Sequence, residues 1–267
     1  MNIIEKQSAE LWNQESGLEG IYKQIERAAR VCYQSQNLIK DGSAKTIVER
    51  LINNGHTAML EHGTVYLGMK NTEQNISEFY NKYRDNRFSD VYIDNDCITV
   101  VTNYRVIVEN NWMKDLKYLC NPGIHHSKRI TICLTTNLQV ATEYLRHRLM
   151  SFAMESTRYC SYDKEKFGNE ISFILPCWIN ASTDKMTMIE WMNAMQDAEN
   201  HYMRLRDRGW TAQECAQVLP KATKTTLVIT GNKDMWDHLF DLRLYEKTGP
   251  AHPQAKELAE IIHELLK

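Results

Sequence analysis

The segment from Glu143 to Tyr162 holds the densest set of side chains in this sequence that could do chemistry. It reads EYLRHRLMSFAMESTRYCSY and mixes arginine, histidine and hydroxyl side chains with apolar ones. A solvated surface face would be poorer in apolar residues, and a buried strand would not carry Arg146, His147 and Arg148 in succession. Because guanidinium groups bind oxyanions through paired hydrogen bonds, the segment predicts an anion site built into a wall of the core.

The same segment resembles the signature of the flavin-dependent thymidylate synthases, the ThyX family. Arg-His-Arg at 146–148 is followed, after seven intervening residues, by Ser-Thr-Arg-Tyr at 156–159. The alternative is a basic helix end that leads into a strand, with Arg146 and Arg148 as ordinary surface residues. Weaker motifs elsewhere occur in the family's order, and they favour the resemblance.

The resemblance implies that the chain methylates dUMP to dTMP. In the family, methylenetetrahydrofolate supplies the carbon, FAD carries the hydride and NADPH reduces the flavin, so the redox step belongs to the cofactor. The resemblance also implies a homotetramer whose sites lie between subunits.

The expected roles of individual residues follow from the same resemblance. The residues expected to bind the flavin are His56, Arg146, His147, Arg148, Asn232 and His238. Those expected to bind the nucleotide are Glu143, Arg146, Glu155, Ser156, Thr157, Arg158 and Arg243. Family members place Arg243 against the uracil, which makes it the predicted catalytic residue.

Other segments resemble the family more weakly. AARVCY at 28–33 resembles its early Ala-Arg-Val segment, and HTAMLEH at 56–62 resembles its His-x-x-x-x-Glu-His segment. Two histidines and a glutamate this close could suggest a metal, but no third cluster lies at zinc-ligand spacing, so no metal is expected. We take His56 as the functional member, and Glu61 with His62 as either functional or a hydrogen-bonded structural pair.

The chain departs from the family at several positions. Ala58 stands where members often have threonine, and Cys215–Gln217 stand where many have an arginine before Val-Leu-Pro. Asp234 replaces an arginine of some relatives, so no ligand role is assigned to it. Glu143 stands where some members have glutamine. It lies one helical turn before Arg146 and could instead orient that guanidinium.

Length and composition set outer limits on the function. A chain of 267 residues with 43% hydrophobic content can bury a sizeable core. The net charge of −2 argues against a general nucleic-acid binder, and no apolar run approaches the ~20 residues that span a membrane. Seven cysteines without a CxxC pair indicate reduced thiols, and the N-terminus lacks a signal-peptide profile. We therefore expect a cytoplasmic protein without nucleic-acid or membrane partners.

Other classes of function stay open on the sequence alone. KYRDNRF at 82–88 and NYRVIVENNW at 103–112 mix basic and aromatic residues, as nucleic-acid-binding modules do. Ser156 could be a hydrolase nucleophile, although MESTR does not match the nucleophile elbow. Cys177 in Pro-Cys-Trp resembles the nucleophile of the folate-only thymidylate synthases. Neither a base nor a cation adjoins it, so a packed thiol is the better interpretation.

The elements that must position these residues predict an α+β fold. We expect an antiparallel sheet packed with long helices in a single domain, residues 1–267. The predicted strands are 63–70, 97–108, 129–137 and 170–179, and the predicted helices are 20–31, 46–54, 72–83, 138–148, 183–209 and two segments that follow Asn232 and His252. The span 71–128 is longer than the connection in compact family members, and we take it as a family-variable insertion.

Local signals complete the prediction. Thr211 and Glu214 form a capping box, and Asn232 would cap the helix that follows it. Apolar residues repeat at helical spacing over 188–205, which indicates core or a subunit contact. His125 and His126 are predicted to be solvated loop side chains.

Overall fold

The protein is described by a computed structural model that covers residues 1–164 and 168–267. Its strands are β1 (Asn2–Ile4), β2 (Ser8–Trp12), β3 (Thr64–Lys70), β4 (Asp90–Ile93), β5 (Cys97–Asn103), β6 (Arg129–Asn137), β7 (Ser151–Met154), β8 (Ser172–Ile174) and β9 (Lys224–Asn232). Its α-helices are α1 (Gly17–Tyr33), α2 (Ser43–Asn53), α3 (Glu73–Asn75), α4 (Asn81–Arg84), α5 (Tyr104–Glu109), α6 (Leu138–Tyr144), α7 (Lys185–Asp207), α8 (Ala212–Cys215), α9 (Lys233–Arg243) and α10 (Pro253–Leu265).

The strands form two antiparallel sheets and one parallel pair. The larger sheet has the order β2-β6-β9-β7, the smaller sheet has the order β3-β5-β4, and β1 pairs with β8 in parallel. All contacts within the two larger sheets are antiparallel. The predicted α+β class, with antiparallel sheets and long helices, is confirmed.

The larger sheet is covered by helices on both faces because its side chains alternate. On one face, apolar residues of β6 and β9 pack against α6, α9 and α10; this group includes Ile132, Leu134, Leu227, Ile229, Trp236, Leu239 and Leu258. On the other face, Ala28 and Val31 of α1 pack against Ala153 and Val228. The ends of α6 and α9 are therefore fixed relative to each other through the sheet.

The span 71–128 belongs to the same core as the elements before it. Phe79, Tyr83, Ile98, Val100 and Tyr104 are buried in one cluster with residues of α1, α2 and β3. A π-helical turn joins α3 to α4, and together they confirm the predicted helix at 72–83. The predicted variability of this span within the family stays a prediction.

Several predicted boundaries are wrong for identifiable reasons. The strand predicted at 97–108 ends at Asn103, because the Asn103 side chain accepts a hydrogen bond from the Val106 amide and starts α5. The strand predicted at 170–179 is limited to Ser172–Ile174. The helix predicted at 138–148 ends at Tyr144, where the chain turns toward β7.

Some of the other local predictions are confirmed, and others are wrong. The capping box of Thr211 and Glu214 is present. On α7, Met195 and Tyr202 are buried, whereas Met188 is 44% exposed, so only part of the apolar stripe is core. His126 is not a solvated side chain.

The loop that contains the two adjacent histidines is held by both rings. The Nδ1 atom of His126 accepts from the Gly123 amide at 3.0 Å, and its Nε2 atom donates to the Leu67 carbonyl at 3.0 Å. The His125 ring stacks on Tyr92, with the ring centroids 4.4 Å apart. Both contacts tie the loop to the smaller sheet.

A buried ion pair provides a test of how firmly the 71–128 span is packed into the core. Asp115 Oδ2 accepts from the Tyr83 hydroxyl at 2.7 Å and lies 2.5 Å from Lys82 Nζ. We expect Asp115→Asn to lower the free energy of unfolding by about 3 kcal/mol, because Lys82 loses its buried partner. Urea denaturation followed by tryptophan fluorescence measures this change.

The control is the exposed ion pair one turn away. Asp85 lies 3.2 Å from Arg84 with both side chains more than half exposed, so Asp85→Asn should cost less than about 0.5 kcal/mol. A single unfolding transition is expected in both variants. An Asp115→Asn protein as stable as the parent would contradict this account of the span.

Candidate functional site

A single guanidinium joins the end of α9 to the end of α6. Arg243 Nη2 donates to the Glu143 carbonyl at 2.8 Å, and Arg243 Nη1 lies 3.3 Å from Glu143 Oε2. Arg243 Nε donates to His147 Nε2 at 3.1 Å. We call Glu143, His147 and Arg243 the Arg243 cluster. Three of the predicted site residues, from segments about a hundred residues apart, thus meet in one place.

The Arg243 cluster holds its histidine neutral. Burial lowers the pKa of His147 to about 4, and the positive charge of Arg243 and the nearby His238 add to the effect. Because His147 Nε2 accepts a hydrogen bond from Arg243, the proton of the neutral ring sits on Nδ1. The ring centroids of His147 and His238 are 6.1 Å apart, so α9 contributes a second predicted flavin residue beside it.

The Arg-His-Arg motif lies in a turn, and its three side chains differ in their exposure to solvent. His147 is buried, whereas Arg146 and Arg148 are exposed. Glu143 Oε2 lies 3.9 Å from Arg146 Nη1 but 3.3 Å from Arg243 Nη1. Glu143 therefore interacts more closely with Arg243 than with Arg146. The next residue, Leu149, has φ 79, a left-handed conformation that is strained for a residue with a side chain. The turn therefore presents two arginines outward over a buried imidazole.

Three strand ends in this chain lead through an asparagine into a helix, and the third differs from the first two. Asn103 accepts from the Val106 amide at 3.1 Å, and Asn137 accepts from the Val140 amide at 2.8 Å. Asn232 occupies the same N-cap position before α9, but its side chain makes no capping hydrogen bond. Its Oδ1 is buried without a partner among the described residues. The predicted N-cap position of Asn232 is confirmed, but its side chain does not make the capping hydrogen bond that Asn103 and Asn137 make in their helices.

The hydroxyl and arginine side chains after β7 form a second group. The Ser156 amide donates to the Cys32 carbonyl at 3.0 Å, which seats the loop on the end of α1. Ser156 Oγ accepts from the Arg158 amide at 3.3 Å. Arg158 is exposed, and its Nε donates to Gln213 Oε1 at 2.7 Å. Thr157 is partly exposed in the same loop. A guanidinium oriented by an amide beside two hydroxyl groups can bind a phosphate.

Glu155 is not brought together with these residues. Its side chain is buried, and Oε2 accepts from Lys224 Nζ at 2.8 Å and from Gln34 Nε2 at 3.2 Å. The pKa of the neighbouring Tyr162 hydroxyl is raised, first by burial and then by the charge of Glu155. The nucleotide-binding role of Glu155 stays a prediction, and its contacts in this chain are those of a buried ion pair.

The two histidines and the glutamate of the 56–62 segment lie in separate surroundings. His56 is exposed at the start of the 3-10 segment Thr57–His62. Glu61 Oε1 accepts from Arg105 Nη1 at 2.6 Å, whereas His62 Nδ1 lies 2.8 Å from Thr230 Oγ1. Glu61 and His62 are therefore not a hydrogen-bonded pair. Burial lowers the pKa of His62 to about 4, and Arg129 adds to the shift.

The alternative functions lose their supporting residues in the structure. Tyr83 and Tyr104 are buried in the core, so neither can stack on a nucleic-acid base. Ser156 Oγ accepts from a backbone amide, a contact that does not activate a nucleophile. Burial raises the pKa of the Cys177 thiol, with a further contribution from Glu257, which disfavours the reactive thiolate.

Residues 1–164 and 168–267 hold neither a metal-ligand cluster nor a helix that could span a membrane. There, no group of three or more His, Cys, Asp or Glu side chains is arranged to hold a metal ion. Within the same ranges, no helix is long and apolar enough to cross a membrane.

Sequence reasoning missed the residues that hold the predicted ones in place. Gln213 orients Arg158, Lys224 neutralises Glu155, and Thr230 bonds to both His62 and Thr131. These partners lie far away in sequence. Only the polar residues Lys224, Thr226 and Thr230 of β9 were a visible signal, since positions an even number of residues apart face the same side of the sheet.

Comparisons with known proteins give consistent results. A sequence model of the family described as "thymidylate synthase complementing protein" matches residues 17–117 and 123–267. Flavin-dependent thymidylate synthases of Pyrococcus furiosus and Geobacter sulfurreducens are 28% identical to the chain over 170 residues and 30% identical over 105 residues. These regions cover 62% of this chain and 67% of the first relative, and 39% of this chain and 43% of the second.

A comparison of folds identifies a similar solved structure. The UMP/dUMP methylase PolB from Streptomyces cacaoi, bound with 5-Br UMP, superposes with a TM-score of 0.50 at 16% sequence identity. The superposition covers 100% of this chain and 91% of that protein. This likeness concerns the fold alone.

The two buried histidines predict how stability depends on pH. Their folded pKa of about 4 lies below the ordinary value of 6.5, so the unfolded chain binds more protons between these values. The free energy of unfolding should therefore fall as the pH is lowered from 6.5 to 4, by on the order of 3 kcal/mol per histidine. Urea denaturation across this range should give a shallower dependence in His62→Gln and in His147→Gln than in the parent. Equal slopes in parent and variants would contradict the assignment.

Proposed function

Because the chain belongs to the thymidylate synthase complementing protein family, we propose that it is a flavin-dependent thymidylate synthase that converts dUMP to dTMP. Methylenetetrahydrofolate is the proposed carbon donor, FAD the hydride carrier and NADPH the reductant. The single observation that carries the proposal is the Arg243 cluster. It joins the Arg-His-Arg turn to the end of α9, the helix that also carries His238.

The proposed nucleotide phosphate site is the loop after β7. Arg158 is exposed and already oriented by Gln213, so little side-chain freedom is lost when a phosphate binds. Ser156 and Thr157 supply hydroxyl groups beside it. Ser156 thus acts in binding rather than as a nucleophile.

The proposed flavin site combines one buried, unpaired acceptor with exposed basic side chains. The buried Oδ1 of Asn232 accepts no hydrogen bond from the described residues, and an N–H or O–H of the flavin would satisfy it. His56, Arg146, Arg148 and His238 are exposed, and the arginines suit the diphosphate. His147, buried behind the arginines, supplies orientation through its bond to Arg243. When bound, FAD supplies the hydride-transfer chemistry.

Arg243 is proposed to act on the uracil ring. Forming a carbon–carbon bond at C5 builds negative charge on N3 and the carbonyl edge of the ring. A fixed guanidinium stabilises this charge without reorganising, and one such donor is typically worth ~3–4 kcal/mol in the rate. Glu143 and His147 hold the side chain in place, and the neutral His147 adds no competing positive charge.

We propose a homotetramer with sites shared between subunits, located in the cytoplasm. Arg146 and Arg148 point outward from the turn, where a neighbouring subunit could complete their site. The start of α7 exposes apolar side chains that no described residue covers, with Met186 70%, Met188 44% and Ile189 39% exposed. All the cysteines are free, which fits a reducing compartment.

The experiment that tests the proposed function starts from the absorption spectrum of the purified protein. Flavin bands that bleach on addition of NADPH, followed by dTMP formation from dUMP and methylenetetrahydrofolate, are the expected result. A protein that neither carries flavin nor takes up added FAD would overturn the proposal.

Arg243→Ala is expected to lower dTMP formation at least about a hundredfold, because the charge on the uracil loses its stabilising donor. Bound flavin and slow oxidation of NADPH by oxygen should persist. The matched control is Arg208→Ala at the exposed end of α7, which should leave dTMP formation unchanged. Retention of dTMP formation within about threefold in Arg243→Ala would show that this arginine only joins α6 to α9.

Sedimentation tests the proposed assembly. We expect Met188→Glu to dissociate the tetramer, because it places a charge in an apolar contact. Met113 has the same exposed fraction, 44%, but lies outside α7, so Met113→Glu should leave the assembly intact. A monomeric parent protein that is active at micromolar concentration would contradict the proposal of shared sites.

A further inference from the structure

A cavity of about 290 Å³ lies beside the larger sheet, where β2 ends, β6 begins and α1 starts. Its other walls are β3 and the loop after Leu119, which belongs to the 71–128 span. The polar residues that argue for its use are Ser16, Gly17, Lys128 and Arg129.

Arg129 is a buried cation with no carboxylate within ion-pair distance among the described residues. The residue is 9% exposed and lines the cavity. Its Nη2 donates to the backbone carbonyl of Glu61 at 3.1 Å, and its Nε has no hydrogen-bond partner among the described residues. The carboxylate of Glu61 is engaged by Arg105 at 2.6 Å. The charge of Glu61 acts on Arg129 only from beyond ion-pair distance, so the buried guanidinium can still gain from an anion bound in the cavity.

Burial lowers the pKa of Arg129 to about 10, which still leaves the guanidinium charged at neutral pH. The positive charge is therefore present when the protein is in use.

The start of α1 adds donors to the same cavity. Ser16 is the N-cap residue, yet its side chain makes no capping hydrogen bond, and Ser16 and Gly17 both line the cavity. Free amide groups at the start of a helix of this length favour an anion. Lys128 adds a second positive side chain. Among the described residues, the one carboxylate that also lines the cavity, Glu15, is paired with Lys23 at 2.8 Å.

We propose that this cavity binds a phosphate-bearing small molecule. Arg129, the first residues of α1 and Lys128 all line the cavity, and a phosphate offers more acceptor oxygens to such a set of donors than a carboxylate does. The volume exceeds that of a free phosphate ion, so the bound group can be part of a larger molecule. Inorganic phosphate is the probe, because a free phosphate ion and the phosphate group of a larger molecule share the same chemistry.

The cavity is distinct from the proposed nucleotide site. Ser156 bonds to Cys32 near the end of α1, whereas the cavity lies at its start. A helix of 17 residues is ~25 Å long, so the two phosphate sites are separated by about that distance.

The test is calorimetric titration of the flavin-loaded protein with inorganic phosphate in the presence of saturating dUMP. Saturable binding is expected in the parent. Arg129→Gln should weaken it at least about 30-fold, since a charged hydrogen-bond donor is lost, and Lys128→Gln should weaken it about threefold. The control Lys45→Gln, an exposed lysine on α2, should bind phosphate as the parent does.

Further variants separate the possible failures. Arg158→Gln, at the proposed nucleotide site, should leave phosphate binding unchanged even if it weakens binding of dUMP. If Arg129→Gln fails to fold, the exposed Lys128→Glu replaces it, and its reversed charge should weaken binding at least about tenfold. Absence of binding in the parent, binding lost only in Arg158→Gln, or release of flavin by phosphate would each overturn the proposal.

Discussion

The structure around the candidate site depends on one guanidinium held between two helix ends. Arg243 reaches from the last turn of α9 to the last residues of α6 and satisfies a carbonyl there, while Glu143 and His147 occupy its other donors. Because His147 is neutral, the cluster carries the charge of one arginine and one glutamate. The contact that fixes the helices is thus also the one that aims the proposed catalytic group.

The sheet makes this meeting possible. β6 and β9 are neighbours with a continuous antiparallel register, and each ends in an asparagine that leads into a helix packed on the same face. Asn137 uses its side chain to cap α6, whereas Asn232 leaves its oxygen buried and unpaired. Asn232 therefore departs from the local rule that the other two strand ends follow.

The sequence predicted the elements with strong periodicity and the residues that share one motif. The strand at 129–137 and the long helices were confirmed because their patterns are local. The end of α6 was missed because Leu145–Arg148 include good helix formers. The turn that ends the helix is required by the pairing of β7 with β9. The resemblance assigns Glu155 to the nucleotide site, and nothing in the local sequence indicates that Lys224, 69 residues away, binds its side chain.

We propose that Glu143 contributes to turnover by positioning Arg243 rather than by contacting the substrate. A double-mutant cycle on dTMP formation, with Glu143→Gln and Arg243→Lys, measures this most directly. If the account is right, the double variant is no slower than the slower single variant, because both substitutions remove the same aimed guanidinium. If the two losses multiply, Glu143 acts on the substrate independently, and the account of the cluster is wrong.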